Sequence, residues 1–439
     1  MQKKQLKNHE EQLCSIRENI MYKNKSLLSQ IMRFNQARFL EILAKLITAA
    51  EVVQNKGAQA PIPREREIVN IVRSYLDKHA DTLDFKEYEY YKDRPNLIIT
   101  RKGTGTRTVG LIGSHLDVVP ANPAHWKRNP FQLIVEGDVM YGRGTTDCIG
   151  HVAALTEFLL TLSEQKIQLA TTIVVLFMAN EESLAITDIG IERLVPEGHL
   201  DMLKGHTALW LDCSDSELCI ATKGVATWTL TVKGKRAHSG YPEKGINALT
   251  LACTIIDNLQ TWFYKTIKHA PEGKKLKMTP PSMSPTLVST TNDAVNAIPA
   301  EVMIKGDLRV PPGHNTQKLI ALIKEHLPAL VPKAKKPHNY ENSEVSIEFA
   351  SHVENPFWTV TNTEQYKHVA RALKKAGIPP KTSTSGGTLP AIGDLQQRGV
   401  TIFATGFGKG NAYHQDNEYA LISDFMKGLD FLWHYVSEE

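Results

Sequence analysis

Cysteine is scarce in this chain and badly placed for pairing: Cys14, Cys148, Cys213, Cys219 and Cys253 are scattered, odd in number and without a CxxC step. That pattern argues against a disulfide framework and against a thiolate-built structural zinc site, and it fits a reducing compartment. Cys148 and Cys213, which adjoin candidate ligands named below, are read as buried spectator thiols. No apolar run approaches the roughly 20 residues that a spanning helix needs, so an integral membrane protein is not expected. Neither sign of charge dominates. The 51 basic and 47 acidic residues leave a formal +4 spread along the chain, unlike the clustered basic footprint of a nucleic-acid binder. The N-terminus lacks the uninterrupted apolar core and small-residue cleavage site of a secretory signal. Glu10, Glu11 and Glu18 count against a mitochondrial transit peptide, and a cytoplasmic setting is expected. Internal repeats and extended low-complexity segments are also missing.

What is present is the composition of an ordinary globular protein, and 439 residues are long for one compact core, so two domains are expected. Apolar residues recur at helical spacing in "FLEILAKLITAAEVVQ" and "EREIVNIVRSYLDKH", predicting surface helices packed on a sheet. Short β-rich runs follow: "PNLIITRKG", "TRTVGLIGSHLDVVP", "TTIVVLFMANEES", "HTALWLDCSD" and, near the end, "GVTIFATGFGKGN". The helical "CIGHVAALTEFLLTLSEQ" lies between two of them. Helices alternating with continuously apolar strands predict an α/β fold with a mainly parallel sheet covered on both faces. From about residue 222 the strands alternate apolar with polar, and two amphipathic helices intervene. The run β-α-β-β-α-β predicts a ferredoxin-like α+β unit inserted into the larger domain. The stretches "PEGKKLKMTPPSMSP" and "VPKAKKPHNYENS" read as exposed loops.

In open α/β sheets, ligands sit beyond the carboxyl ends of the strands. There the sequence places His115 and Asp117, then Glu181 and Glu182, then Asp212, then His414, with Asp147 in "GRGTTD" ahead of a helix. Singly, each has an ordinary structural explanation, such as an N-cap, a turn or a solvated loop. Together, two histidines and several carboxylates form a hard N/O donor set suited to zinc, cobalt or manganese. A two-metal hydrolytic site needs a bridging carboxylate, further ligands for each ion, and one unligated carboxylate to carry protons. The inventory supplies all of these.

The segments "GSHLDVVPANPAHWKRNPFQLIVEGDVMYGRGTTDCIGH", "FMANEES" and "GKRAHSG", with His414, resemble the M20 family of dizinc amidohydrolases from about residue 35 onward. "SGGTLPAIGDLQQRGV" and "GNAYHQDNEYALISD" are most similar to its eukaryotic acetylornithine deacetylase branch. The resemblance implies a dizinc exopeptidase-like fold. Its expected parts are a leader over 1–34, a catalytic domain over 35–221 and 352–439, and an inserted lid and dimerisation domain over 222–351. It implies two divalent ions, zinc with cobalt as the alternative. Asp147 would bridge them, His115 and Asp212 would complete one site, and Glu182 and His414 the other. Asp117 would orient His115, and Glu181 would be the general base. In the lid, His238 would stabilise the developing oxyanion, often from the partner subunit, and Asn296 and Arg309 would contact a substrate carboxylate. Gly386 and Gly387 would let backbone approach the substrate. The expected activity is hydrolysis of an N-acylated amino acid, N-acetyl-L-ornithine first, by a homodimer that needs neither nucleic acid nor membrane. Asp212, where several family members have glutamate, keeps a dipeptidase or aminoacylase as the alternative. A silent dimeric scaffold is disfavoured, because no ligand and no base is missing.

Overall fold

The computed structural model describes residues 32–57, 61–183, 186–212, 215–292, 294–335 and 338–438. Most of the expected leader, together with Cys14 and Cys213, lies outside the described residues. Among them, no helix is long and apolar enough to cross a membrane.

The larger sheet has eight strands. In chain order these are β1 (Asp84–Glu89), β2 (Pro95–Arg101), β3 (Thr108–His115), β4 (Thr172–Met178), β5 (Thr207–Leu211), β6 (Leu218–Cys219), then, after the inserted unit, β11 (Thr382–Ser383) and β12 (Thr401–Thr405). Their order across the sheet is β1-β2-β4-β3-β5-β12-β6-β11. The central four, β4, β3, β5 and β12, are mutually parallel, and their carboxyl ends therefore share one edge.

Why these runs carry no polar alternation is visible in the core. Odd-numbered Val109, Leu111, Ile173, Val175, Leu209, Leu211 and Phe403 face one apolar cluster. Even-numbered Val174, Leu176, Met178, Ala208, Trp210, Ile402 and Ala404 face the other. Successive side chains of a strand point to opposite faces, so a sheet covered on both sides needs apolar residues throughout. The first cluster is filled by α1 (Gln36–Ala49), α2 (Arg66–Leu76), α3 (Ile149–Glu164), α6 (Glu364–Lys375) and α7 (Ile422–Ser437). Helix α3 is buried along all but its last residue. Here the expected packing is corrected: α1 rests chiefly on α3 rather than on the sheet. A helix as apolar as α3 must be covered on its outer side too, and α1 supplies that cover.

The inserted unit has its own four-stranded antiparallel sheet of β7 (Gly224–Lys233), β8 (Ser282–Thr290), β9 (Glu301–Val310) and β10 (Glu344–Phe349), ordered β8-β9-β7-β10. Helices α4 (Ala248–Thr266) and α5 (Thr316–Leu330) close a separate core against it. The end of the proline-rich stretch expected as loop is in fact the start of β8. Pro285 is tolerated there because β8 is an edge strand with a register shift beside it. The second such stretch contains a short antiparallel pairing of residues 334–335 with 338–339.

Candidate metal centre

Strand β3 carries a bulge against β4 between Leu111 and Ser114. Gly113 makes it possible: its φ is +95°, and a Cβ there would lie 2.6 Å from Trp210 Cδ1. The bulge resets the phase of the strand just before His115, a common device beside functional sites. His115 Nδ1 lies 2.9 Å from the backbone oxygen of Asp117, which leaves Nε2 directed at Asp147 Oδ1, also at 2.9 Å. Expected as the partner of the His115 ring, the Asp117 carboxylate is 3.4 Å from Nδ1. Its closer work is to accept the backbone N–H groups of Glu181 and Glu182, each at 3.1 Å.

That pairing holds the turn after β4 so that the two glutamates part. Glu181 Oε2 stands 4.0 Å from His115 Nε2. Glu182 turns away, accepting from the Val119 amide at 3.1 Å and meeting His414 Nε2 at 3.0 Å. His414 also reaches Asp147 Oδ2, at 3.1 Å. The Asp147 carboxylate therefore lies between two imidazoles, one on each oxygen.

His115, Asp147 and Glu182 each offer a donor atom within 4.8 Å of the others, and so do His115, Cys148 and Asp212. Burial, and then the neighbouring Asp147 charge, push Glu182 up to about 7. Glu181 is also raised, first by burial and then by the Glu182, Asp212 and Asp147 carboxylates. Bonds to Asp147 and Glu182 push His414 up to about 10. Crowded, desolvated carboxylates competing for protons are an excess of negative charge that divalent cations would neutralise, and the N/O donors suit zinc, cobalt or manganese. The residues therefore fit a pair of such ions. Cys148 does not join them comfortably: burial pushes its thiol well up, whereas a ligand must be thiolate.

Several supporting residues have no motif in the sequence. Glu418 is fully buried and accepts from the amides of Gly144, Thr146 and Asp147 at 2.8–3.0 Å, and from Arg143 Nη1 at 2.7 Å. It holds the "GRGTTD" loop in the shape that presents Asp147. A second buried chain starts at Glu65, which pairs with Arg94 Nε at 2.8 Å. Arg94 Nη1 donates to Asn180 Oδ1 at 3.0 Å, and Asn55 Nδ2 donates to Asn180 Oδ1 at 3.2 Å and to Asp117 Oδ2 at 2.8 Å. Asn180 itself sits at φ +62°, directly ahead of the two glutamates. Glu418 lies four residues after the candidate ligand His414 in "HQDNEYA", but nothing in that stretch marks its contact with the "GRGTTD" loop; for Asn55 and Arg94 the sequence gives no sign either.

A cavity of about 380 Å³ is lined by Asp147, Glu181, Asp212 and His414, and by Gly387. Gly386 is beside it in the chain but does not line it. His238 pairs with Ala297 in a small two-stranded ribbon of the inserted unit. Asn296 is next to it, accepting from the Ser239 amide at 2.9 Å. Arg309 is bound to Asp307, with Nε at 2.8 Å from Oδ2. None of His238, Asn296 and Arg309 lines the cavity of their own chain.

A parallel sheet with acid and imidazole groups at its carboxyl edge, beside an inserted α+β unit, defines the class: an α/β enzyme of metallohydrolase type. The sequence pattern of peptidase family M20/M25/M40 matches residues 111–438, and the chain belongs to that family. It is 35% identical to acetylornithine deacetylase of Dictyostelium discoideum over 431 residues, covering 91% of this chain and 96% of the relative. Its identity to the Arabidopsis thaliana acetylornithine deacetylase is 31% over 441 residues, covering 94% and 98%. The crystal structure of aminopeptidase PepT from Bacillus cereus superposes with a TM-score of 0.67 at 18% identity, covering 92% of this chain and 98% of that one. That last likeness concerns the fold.

Proposed function

We propose that this M20 hydrolase removes the acyl group from an N-acylated amino acid, with N-acetyl-L-ornithine and water giving L-ornithine and acetate. One observation carries the chemistry: Asp147 stands between His115 and His414, with Glu181 close to the same imidazole and free of the second one. The two relatives named acetylornithine deacetylase, matched over nine-tenths of the chain, support the substrate.

In this reading Asp147 would serve both of two divalent cations, His115 and Asp212 would hold one, and Glu182 and His414 would hold the other. Bound there, zinc or cobalt supplies Lewis acidity that acidifies water and polarises an amide carbonyl. Glu181 takes the proton of the attacking water and passes it to the departing nitrogen. A carboxylate committed to metal would have lost the lone pair this requires. Asp117, through the amides of Glu181 and Glu182, keeps base and ligand apart.

His238, Asn296 and Arg309 serve the site as lid residues across a homodimer: His238 donates to the developing oxyanion, and the other two hold the substrate carboxylate. Gly386 and Gly387 leave room for substrate against the backbone. The inserted unit over 222–351 is the lid and dimerisation domain, and the segments 35–221 and 352–439 make the catalytic domain. A cytoplasmic setting agrees with the scattered cysteines, of which the described ones, Cys148, Cys219 and Cys253, are unpaired.

The test is amine release by the zinc- or cobalt-loaded protein from N-acetyl-L-ornithine, beside N-acetylmethionine, succinyl-diaminopimelate and a dipeptide panel. Preference for acetylornithine supports the reading. Preference for dipeptides overturns the substrate and keeps the metal chemistry, and no turnover of any of them overturns the activity.

A further inference from the structure

The mechanism above uses Glu181, Glu182 and Asp117, and leaves the polar network behind them without a role. Glu65, Arg94, Asn180 and Asn55 are all buried. Arg94 is held by Glu65 on one side and donates from Nη1 to the Asn180 side-chain oxygen at 3.0 Å on the other. A buried ion pair is seldom more stable than apolar packing of the same volume. Stability is therefore a poor account of a charged pair laid against the turn that carries both glutamates.

Asn55 ties that network to the site. Residues 53–55 run beside Val118: the Val118 amide donates to the Val53 oxygen at 3.1 Å, and the Asn55 amide donates to the Val118 oxygen at 2.8 Å. This pairing brings the Asn55 side chain to Asp117, one residue earlier. A carboxamide has two donors on its nitrogen and an acceptor oxygen, and Asn55 uses every one of these functions. Its Nδ2 donates to Asp117 Oδ2 at 2.8 Å and to Asn180 Oδ1 at 3.2 Å, while its Oδ1 accepts from the Gly57 amide at 3.0 Å. Asp117 in turn accepts the amides of Glu181 and Glu182. Asn180 precedes them at φ +62°, with Nδ2 donating to the Ile186 oxygen at 2.7 Å across the same loop. One side chain therefore touches both groups that shape the turn: the carboxylate that gathers its amides, and the residue whose left-handed backbone begins it.

We propose that Asn55 is a positioning residue for base and ligand together: by donating to Asp117 and to Asn180 at once, it locks the turn that sends Glu181 and Glu182 apart. The roles of the two glutamates rest on the hydrolase reading above. Asn55 acts through Asp117 and Asn180, and Arg94, braced by Glu65, holds Asn180 from its other side. Buried hydrogen-bonded networks of this kind act as a unit, so losing Asn55 should disturb both glutamates.

The experiment measures zinc affinity, by competition with a chelator, and steady-state kinetics at saturating zinc, for wild type, Asn55→Ala and Asn180→Gly. Glycine adopts a positive φ without strain, so the second variant removes the carboxamide and keeps the backbone of the turn. In each variant zinc affinity should fall roughly 10- to 100-fold, the range for an outer-shell partner, and kcat should fall while KM stays near wild type. In a Glu182→Gln background, Asn55→Ala should cost less affinity than it does in wild type, because residues that act through one another are not additive. An equal cost in both backgrounds overturns the inference while the hydrolase reading stands. So do variants that unfold at lower urea with zinc affinity and kcat unchanged. If wild type cleaves dipeptides instead, the substrate reading fails, and the zinc affinities still decide for or against Asn55. A wild type that takes up neither zinc nor cobalt overturns both.

Discussion

At the residue scale, the informative feature is how two neighbouring glutamates come to differ. A single buried carboxylate, Asp117, accepts both of their amides, so the backbone turns there and the side chains leave in different directions. The expected consequence is separable phenotypes. Glu181→Gln should keep full metal stoichiometry while kcat falls roughly 10²- to 10⁴-fold, the range for removing a general base; metal analysis of the purified variant alongside steady-state kinetics checks it, and full activity would remove Glu181 from that role. Glu182→Gln should instead weaken metal binding by at least the roughly 10- to 100-fold that follows loss of an outer-shell partner, and a chelator titration that matches wild type would count against it. Glu418 was not legible in advance, because it acts through the backbone of a loop far away in the chain, and no local pattern reports such a contact. Glu418→Gln leaves the buried Arg143 without its carboxylate and should cost about 3 kcal/mol, the loss expected on breaking a buried ion pair. Urea unfolding measures this directly, and a change within 0.5 kcal/mol or so, the usual range for surface substitutions, would show that the pair is not needed for stability.

At the element scale, the strands were readable because a doubly covered sheet leaves apolar runs that nothing else in the chain imitates, and the carboxyl-edge rule then pointed to His115, Glu181, Glu182 and Asp212. Helix partners were not readable. The amphipathic pattern of α1 states that one face is buried, and does not state whether sheet or helix buries it; the answer came from α3 being buried nearly all round. The bulge in β3 was equally hidden, since "LIGSH" would pass for plain strand. It makes a specific prediction. Gly113→Ala forces a side chain into φ +95° and against the Trp210 ring, and should destabilise the protein by about 1–3 kcal/mol. Since the bulge sets the approach to His115, metal affinity should fall with it. Calorimetry and metal titration together test this: lost stability with unchanged affinity would mean that the bulge supports the core and not the ligand.

At the scale of the whole molecule, the proposed role of His238 and Asn296 asks for a second chain. His238 and Asn296, proposed to serve the site, do not line the cavity of their own chain, while the inserted sheet ends in an uncovered edge. Strand β8 presents Leu287 at 56% exposure and Val288 at 59%, and an open edge with apolar side chains is an invitation to pair. A homodimer joined along that edge would cover both residues, and the proposed role of His238 at a neighbouring site needs such a partner. Leu287→Lys with Val288→Lys should then yield a species near the 49.0 kDa of one chain, still metal-loaded and yet inactive. The decisive form of the test mixes two dead proteins. Glu181→Gln has lost the base and keeps His238; His238→Ala has lost the donated imidazole and keeps the base. Unfolded together and refolded, they would form mixed dimers in which one site has both its own Glu181 and the neighbour's His238, and activity should return. If His238 works within its own chain, or not at all, no pairing of the two variants assembles an intact site, and the mixture stays as inactive as its parts.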